Sequence, residues 1–412
     1  MNLQPLQANE GLCWQGCKLV GAHFQISPEK KKLLVKGQPN ATHRLPRYWA
    51  GKDLTQKKSE RYVVDMFDLS EDEATKRYPS LMQHLIDWVL PERRENKDKG
   101  FREKWWIFGR PRPDLREANA DLERYIVTSE VAKHRFFSFL SWPNDLVDGS
   151  VVALCLHDDF HFGVLSSRVH TTWAILAGGR LEDRPRYQNV LCFDPFPFPD
   201  CTEEQKSRIR ALGEQLDKHR KDRQARHPDL TMTGMYNVLE KLKSGEALKP
   251  KDKDIHEKGL VSVLKQIHDD LDAAVFDAYG WPADLTDDEI LERLVALNHE
   301  RAAEEKRGII RWLRPEYQAP DAAKSKAKVQ EEIELAAAPV AKGKAKKQAW
   351  PAALPEQFQA VRGALAASGA PVTADVLAKT FSRAKKDRLA EVLSALVAIG
   401  RARKVNGDKY TV

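Results

Sequence analysis

No stretch of this 412-residue chain approaches the roughly 20 consecutive apolar residues that a bilayer-crossing helix needs. The first residues, MNLQPLQANEG, offer neither a basic start nor an apolar core, so they do not read as a secretory signal. Cysteine is scarce. Cys13, Cys17, Cys155, Cys192 and Cys201 are odd in number and too few for a disulfide framework, which suits a reducing compartment and a cytoplasmic protein. Cys13, Cys17 and His23 are possible metal ligands, but no second cysteine pair completes a four-ligand zinc site. Cys155 lies in an apolar run and reads as a small buried hydrophobe. The acidic groups at His157-Asp158-Asp159 and at Asp65 and Asp68 lack an acidic-x-Lys arrangement on neighbouring strands. They read as a turn and a strand end, not as a metal-dependent nuclease.

The charge that is present is unevenly placed. From Asp321 onward the chain holds 17 Lys and Arg against 9 Asp and Glu, while the first 320 residues hold 50 against 51. A basic tail on a nearly neutral body is an electrostatic handle for nucleic acid, because phosphate contacts release counterions whatever the base sequence. Within the linker itself, lysine serves equally well to keep an Ala-rich stretch in solution.

Composition and periodicity divide the chain into an α+β part with mixed strands and helices (1–200), a helical segment (201–320), a flexible Ala/Lys linker (321–349) and a C-terminal module (350–412). Ser70 with Glu73 forms a helix start, followed by Leu81, Leu85, Trp88 and Val89 at helical spacing. Helices are expected over Thr202–Arg226, Leu260–Ala278 and, after a cap at Thr286, Asp287–Lys306. Val151–Leu156 and Phe160–Leu165 read as two strands joined by the polar turn His157–Asp159, with a helix from Ser167 to Leu176. In the last module, helices at Glu356–Ala367, Ala374–Thr380 and from Ser382 to Ile399 precede a hairpin turned at Asn406-Gly407. Three helices and a hairpin describe a winged-helix-like module, which serves as a DNA-binding or a protein-docking unit.

The order from Ser150 to Pro199 (apolar runs, helix, Gly-Gly-Arg turn, charged loop, aromatic-proline run) resembles the target-recognition region of MmeI-like DNA adenine methyltransferases. These are single-chain type II restriction-modification enzymes. Further blocks resemble the family in the same order: Gly21–Pro28 (GAHFQISP), Tyr48–Leu54 (YWAGKDL), Tyr62–Phe67 (YVVDMF), Trp105–Pro113 (WWIFGRPRP) and Arg124–Phe139 (RYIVTSEVAKHRFFSF). Ile267–Pro282 (IHDDLDAAVFDAYGWP) and Arg311–Tyr317 (RWLRPEY) are similar to the helical segment that follows. The resemblance implies a region that chooses the DNA sequence while another part of the polypeptide moves the methyl group.

The methyl-transfer motifs themselves are absent. A class I methyltransferase needs a strand and Gly-rich turn for S-adenosylmethionine, and an Asp/Asn/Ser-Pro-Pro-aromatic signature for the flipped adenine. Phe108-Gly109 and Gly178-Gly179 have the wrong spacing, and Asp194-Pro195-Phe196-Pro197 interleaves its prolines with an aromatic. The chain thus looks like the C-terminal half of the family's architecture, with no catalytic, cofactor or metal residues expected in it. S-adenosylmethionine is expected in a partner or missing catalytic half. The implied partners are double-stranded DNA and a methyltransferase catalytic domain or subunit, as in a type I specificity subunit. A stand-alone DNA-binding regulator, or a remnant of a split methyltransferase gene, fits the same residues.

Base readout uses Arg and Lys on guanine, Asn and Gln on adenine, and Asp and Glu on cytosine. The loop Arg180–Asn189 concentrates such groups in Arg180, Arg184, Arg186 and Gln188; Glu182 and Asp183 either join them or neutralise Arg180 and Arg184. Arg110 and Arg112, stiffened by Pro111 and Pro113, form a second candidate group, and Lys133 and Arg135 a third. Ser167 and Arg168 follow the second apolar run, with His170 either a contact or a helix-surface residue. In the C-terminal module Arg383, Lys385, Lys386 and Arg388 open the third helix. Trp105-Trp106 and Phe193, Phe196 and Phe198 read as packing residues, the last two fastening the recognition region to the helices after it.

Overall fold

In the computed structural model the described residues are 3–181, 184–321, 348–351, 353–368, 372–382, 384–398, 402–405 and 409–411. They belong to two units, residues 1–326 and 327–412. In the first unit, strands β1 (Cys13–Gln15), β2 (Gln25–Ile26), β3 (Arg47–Trp49), β4 (Tyr62–Val63), β5 (Arg124–Ser129), β6 (Ser138–Ser141), β7 (Asp145–Val147) and β8 (Val151–Leu154) make two four-stranded sheets. One has the order β1-β8-β5-β6 and is antiparallel throughout, with Ile126 opposite Leu154 and Tyr125 opposite Leu140. The other has the order β2-β4-β3-β7, with β3 and β7 parallel. Every residue of β8 and all but the first of β5 are buried, as expected of strands covered on both faces.

The second apolar run is a helix. Residues Asp159–Ser166 form α1, not a strand, and α2 (Arg168–Ala177) follows at once. The Asp158 side chain accepts the Phe160 N–H at 2.8 Å and caps the new helix. A short run apolar on all sides has no period that separates a buried helix from a buried strand. Its surroundings explain the pattern. A Cβ on Gly163 would lie 2.7 Å from Ile209 Cγ2, and one on Gly213 would lie 2.4 Å from the Asp159 carbonyl. Helix α3 (Glu203–Arg226) therefore packs against α1 nearly backbone to backbone.

The remaining helices match their sequence signals closely. Thr202 caps α3 in a reciprocal box with Gln205, and Ile209, Gly213, Leu216 and Arg220 form its buried stripe. Helices α4 (Met232–Ser244), α5 (Val261–Tyr279) and α6 (Asp287–Glu305) follow, the last boxed by Thr286 and Glu289. A single apolar cluster extends from Leu12 through the strands to Leu294 on α6. A second gathers the other sheet and the helix Pro79–Trp88, where Leu81 and Leu85 are buried while Trp88 is exposed. No described helix is long and apolar enough to cross a membrane.

In the second unit, helices Leu354–Ala367, Ala374–Ala378 and Lys386–Ala398 surround a core that includes Val361, Leu389, Val392 and Leu393. Thr373 caps the middle helix, and Lys409–Thr411 pairs with both Val372–Thr373 and Arg403–Val405. The Asn406-Gly407 turn and most of the 321–349 stretch lie outside the described residues.

Burial also sets a pH response. His170, expected at a surface or a contact, is fully buried, with Nε2 3.1 Å from the Tyr187 hydroxyl. Burial pushes its ring down from 6.5 to about 3, and that of His161 to about 4. Both stay neutral when folded and gain a proton when unfolded, so their contribution to stability is lost as pH falls from about 6.5 towards 4. Asp194 and Asp272, pushed up to about 6 by burial, act in the opposite sense below about pH 6 and offset much of the histidine contribution there. His170→Gln is expected to remove one proton from the balance. Near pH 5 the slope of the urea unfolding free energy against pH should then be about 1.4 kcal/mol per pH unit more negative than in the parent chain. An unaltered slope would contradict the buried neutral ring.

Candidate nucleic-acid interface

Antiparallel register brings the C-terminal ends of β1 and β5 and the N-terminal ends of β6 and β8 to one end of the first sheet. The loops leaving those ends are laced together by backbone hydrogen bonds. Lys18 and Arg110 exchange N–H···O bonds of 3.0 and 2.9 Å, Glu130 N donates to Ser150 O at 2.8 Å, and Tyr187 N donates to Glu130 O at 2.7 Å. The hairpin of β9 (Arg180–Leu181) and β10 (Arg184–Pro185) joins them through Ala132 N and Pro185 O at 3.4 Å. Gly178, where α2 ends, is pressed onto this hairpin: a Cβ there would lie 1.9 Å from Arg186 O. Only glycine permits that approach.

Two of the expected arginine groups meet here. Arg186 donates to Glu130 Oε1 from Nε at 2.8 Å and pairs with it through Nη2 at 2.6 Å. Glu130 Oε2 accepts from Gln15 Nε2 at 3.3 Å, and Gln15 Oε1 accepts from Arg112 Nη2 at 3.3 Å. Arg112 holds a left-handed backbone at φ 58° and also donates from Nε to Gly16 O at 3.2 Å. Arg110 and Lys18 are exposed and make no side-chain ion pair among the described residues. Arg184 is exposed at the hairpin, and Gln188 donates to Gly178 O at 3.0 Å. Glu182, Asp183 and the side chain of Arg180 lie outside the described residues.

Residues 13–200 match the family described as MmeI, target recognition domain. This segment is an MmeI-type target recognition domain. DNA methyltransferase A of Bacillus subtilis (strain 168) is 27% identical over 178 residues, 42% of this chain and 17% of that protein. The solved structure of the type IIL restriction-modification enzyme MmeI in complex with DNA matches with a TM-score of 0.56 at 19% identity, over 73% of this chain and 37% of that one. The chain therefore spans well under half the length of either relative.

Other expected contacts sit elsewhere in or around the recognition domain. Lys133 bonds Glu240 at 3.0 Å and Asn237 at 2.8 Å on α4. Arg168 pairs with Asp287 at 2.6 Å, and its backbone N–H caps onto Asp272 at 2.7 Å. Both tie the recognition domain to the following helices. Arg135 and Ser167 are buried, which corrects their reading as surface contacts. Ser167 Oγ donates back to Val164 O at 2.7 Å. Arg135 donates to Thr128 Oγ1 at 2.9 Å and to Pro185 O at 3.2 Å, and burial pulls it down to about 10. In the second unit Lys385 is exposed, Arg388 pairs with Glu391 at 2.7 Å, and Arg383 and the Lys386 side chain lie outside the described residues.

The aromatic-proline run is core. Phe193, Phe196 and Phe198 are buried, Tyr279 donates to Pro197 O at 2.8 Å, and Asn298 donates to Pro195 O at 2.6 Å. This locks the segment to α5 and α6. Gly109 and Gly178 leave no room for S-adenosylmethionine beside them. A Cβ on Gly109 would meet Val20 Cγ2 at 2.4 Å, and Gly178 is closed by the hairpin, so each close approach is already filled by protein. Cys13 and Cys17 are buried thiols pushed up by burial, and no described group of three or more His, Cys, Asp or Glu is placed to hold a metal.

Gln15, Lys18 and Glu130 were not evident as site residues from the sequence. Gln15 and Glu130 are 115 positions apart and meet only through the β1-β8-β5 pairing.

Proposed function

We propose that this chain reads the base sequence of duplex DNA as the specificity half of an adenine-N6 methyltransferase or restriction-modification system. The match of residues 13–200 to the MmeI target recognition domain carries this reading. It is supported by the convergence of Arg110, Arg112, Arg184 and Arg186 at one sheet end. In this reading Arg112, Arg186 and Gln188 approach base edges, and exposed Lys18 and Arg110 set the register on phosphates. Lys133, Arg168 and helices α3–α6 buttress the reader as a helical part (201–320). The C-terminal unit (350–412), read as winged-helix-like, adds a basic surface at Lys385 and Arg388.

Methyl transfer belongs to a catalytic domain or subunit that binds S-adenosylmethionine, and this chain alone transfers no methyl group. Radiolabelled transfer from S-adenosylmethionine to any DNA by the purified chain would overturn that division. Selection of bound duplexes from a randomised pool, at near-physiological salt, tests the reading function itself. Enrichment of one short motif is the expected result. Motif-free binding that collapses with added salt would contradict it and leave only phosphate attraction.

A further inference from the structure

We infer that Glu130 is a positioning residue that fixes Arg112 and Arg186 in one mutual register, so that the two arginines read DNA as a unit. This rests on the proposed reading of the sheet end. Glu130 leaves β5 beside the loops just described, and its side chain is only 15% exposed, against 41% for Arg186. Both carboxylate oxygens are used. Oε1 takes Nε and Nη2 of Arg186, and Oε2 takes the amide of Gln15, whose own oxygen holds Arg112. The Gln15 amide has one orientation that serves both neighbours, since its nitrogen must face the carboxylate and its oxygen the guanidinium.

The geometry also leaves the right groups over. With the Nε side of Arg186 committed to Glu130, the Nη1 end of the fork keeps donors for a base edge or phosphate. Arg112 is tethered likewise by Nε to Gly16 O and by Nη2 to Gln15. The backbone of Glu130 adds a third tie, bonding Ser150 and Tyr187 at 2.8 and 2.7 Å. One residue thereby ties the end of β5 to β1, to the Ser150 turn and to the Arg186-Tyr187 segment.

The test repeats the duplex selection with the full chain carrying Glu130→Gln, and separately Gln15→Ala. Glu130→Gln keeps the shape and loses the charge that orients Arg186. The expected result is a motif whose preference falls roughly tenfold at one or two adjacent positions. Affinity for unrelated duplexes and the salt slope stay as in the parent. Gln15→Ala should relax a different position, the one read by Arg112, and leave the Arg186 position intact. An unchanged motif in both variants would overturn the inference. So would an equal loss at every position together with a lower melting temperature, which marks a purely structural role. If the parent chain itself selects no motif, the reading function fails first, and this inference falls with it.

Discussion

Arg135→Met is expected to lower the unfolding free energy by about 2–4 kcal/mol. The guanidinium is buried and bonds Thr128 Oγ1, the Ser129 carbonyl and the Pro185 carbonyl, with its Cζ 5.2 Å from the Tyr187 ring centroid. Methionine fills the volume of the stem but takes the guanidinium donor from the Ser129 carbonyl and leaves the Pro185 carbonyl only its long bond from Ala132 N, so their desolvation is poorly compensated. Burial has drawn the guanidinium down only to about 10, so it remains charged at neutral pH and each bond it makes is charge-assisted. Urea unfolding measures the loss. A variant as stable as the parent but weaker on DNA would show that Arg135 is a surface contact after all.

The second large effect separates two kinds of cation. Neutralising Lys18 and Arg110 together should weaken binding to all duplexes alike and reduce the logarithmic salt slope by about two, since each phosphate contact contributes about 0.9. Arg186→Ala should instead cost about 1–3 kcal/mol on the selected sequence, spare unrelated sequences and leave the slope within about one. Titrations of cognate and scrambled duplexes at several salt concentrations give both quantities. Equal losses on both duplexes for Arg186→Ala would place it with the phosphate contacts.

Local chemistry made much of this architecture legible. The boxes at Ser70, Thr202 and Thr286 mark helix starts because each pairs a hydroxyl with an acceptor three residues on, which needs no tertiary information. The aromatic-proline run was correctly a packing element, because rings of that size rarely stay in water. The helix at Asp159–Ser166 was not legible, since it is buried on every side and its periodicity is erased. Arg135 and Ser167 read as surface groups because polarity ordinarily means exposure; their partners are backbone carbonyls supplied by folding. The link from Arg112 through Gln15 and Glu130 to Arg186 depends on strand register across more than a hundred residues, which no local pattern encodes.

Reading of DNA at the end of the first sheet has a direct signature in amide hydrogen exchange of the full chain with and without its selected duplex. Added protection is expected in the loops around Arg110–Arg112, Glu130–Ala132 and Arg184–Gln188. Protection confined to the C-terminal unit, or to the cleft where Lys133 and Arg168 face α4 and α5, would contradict it.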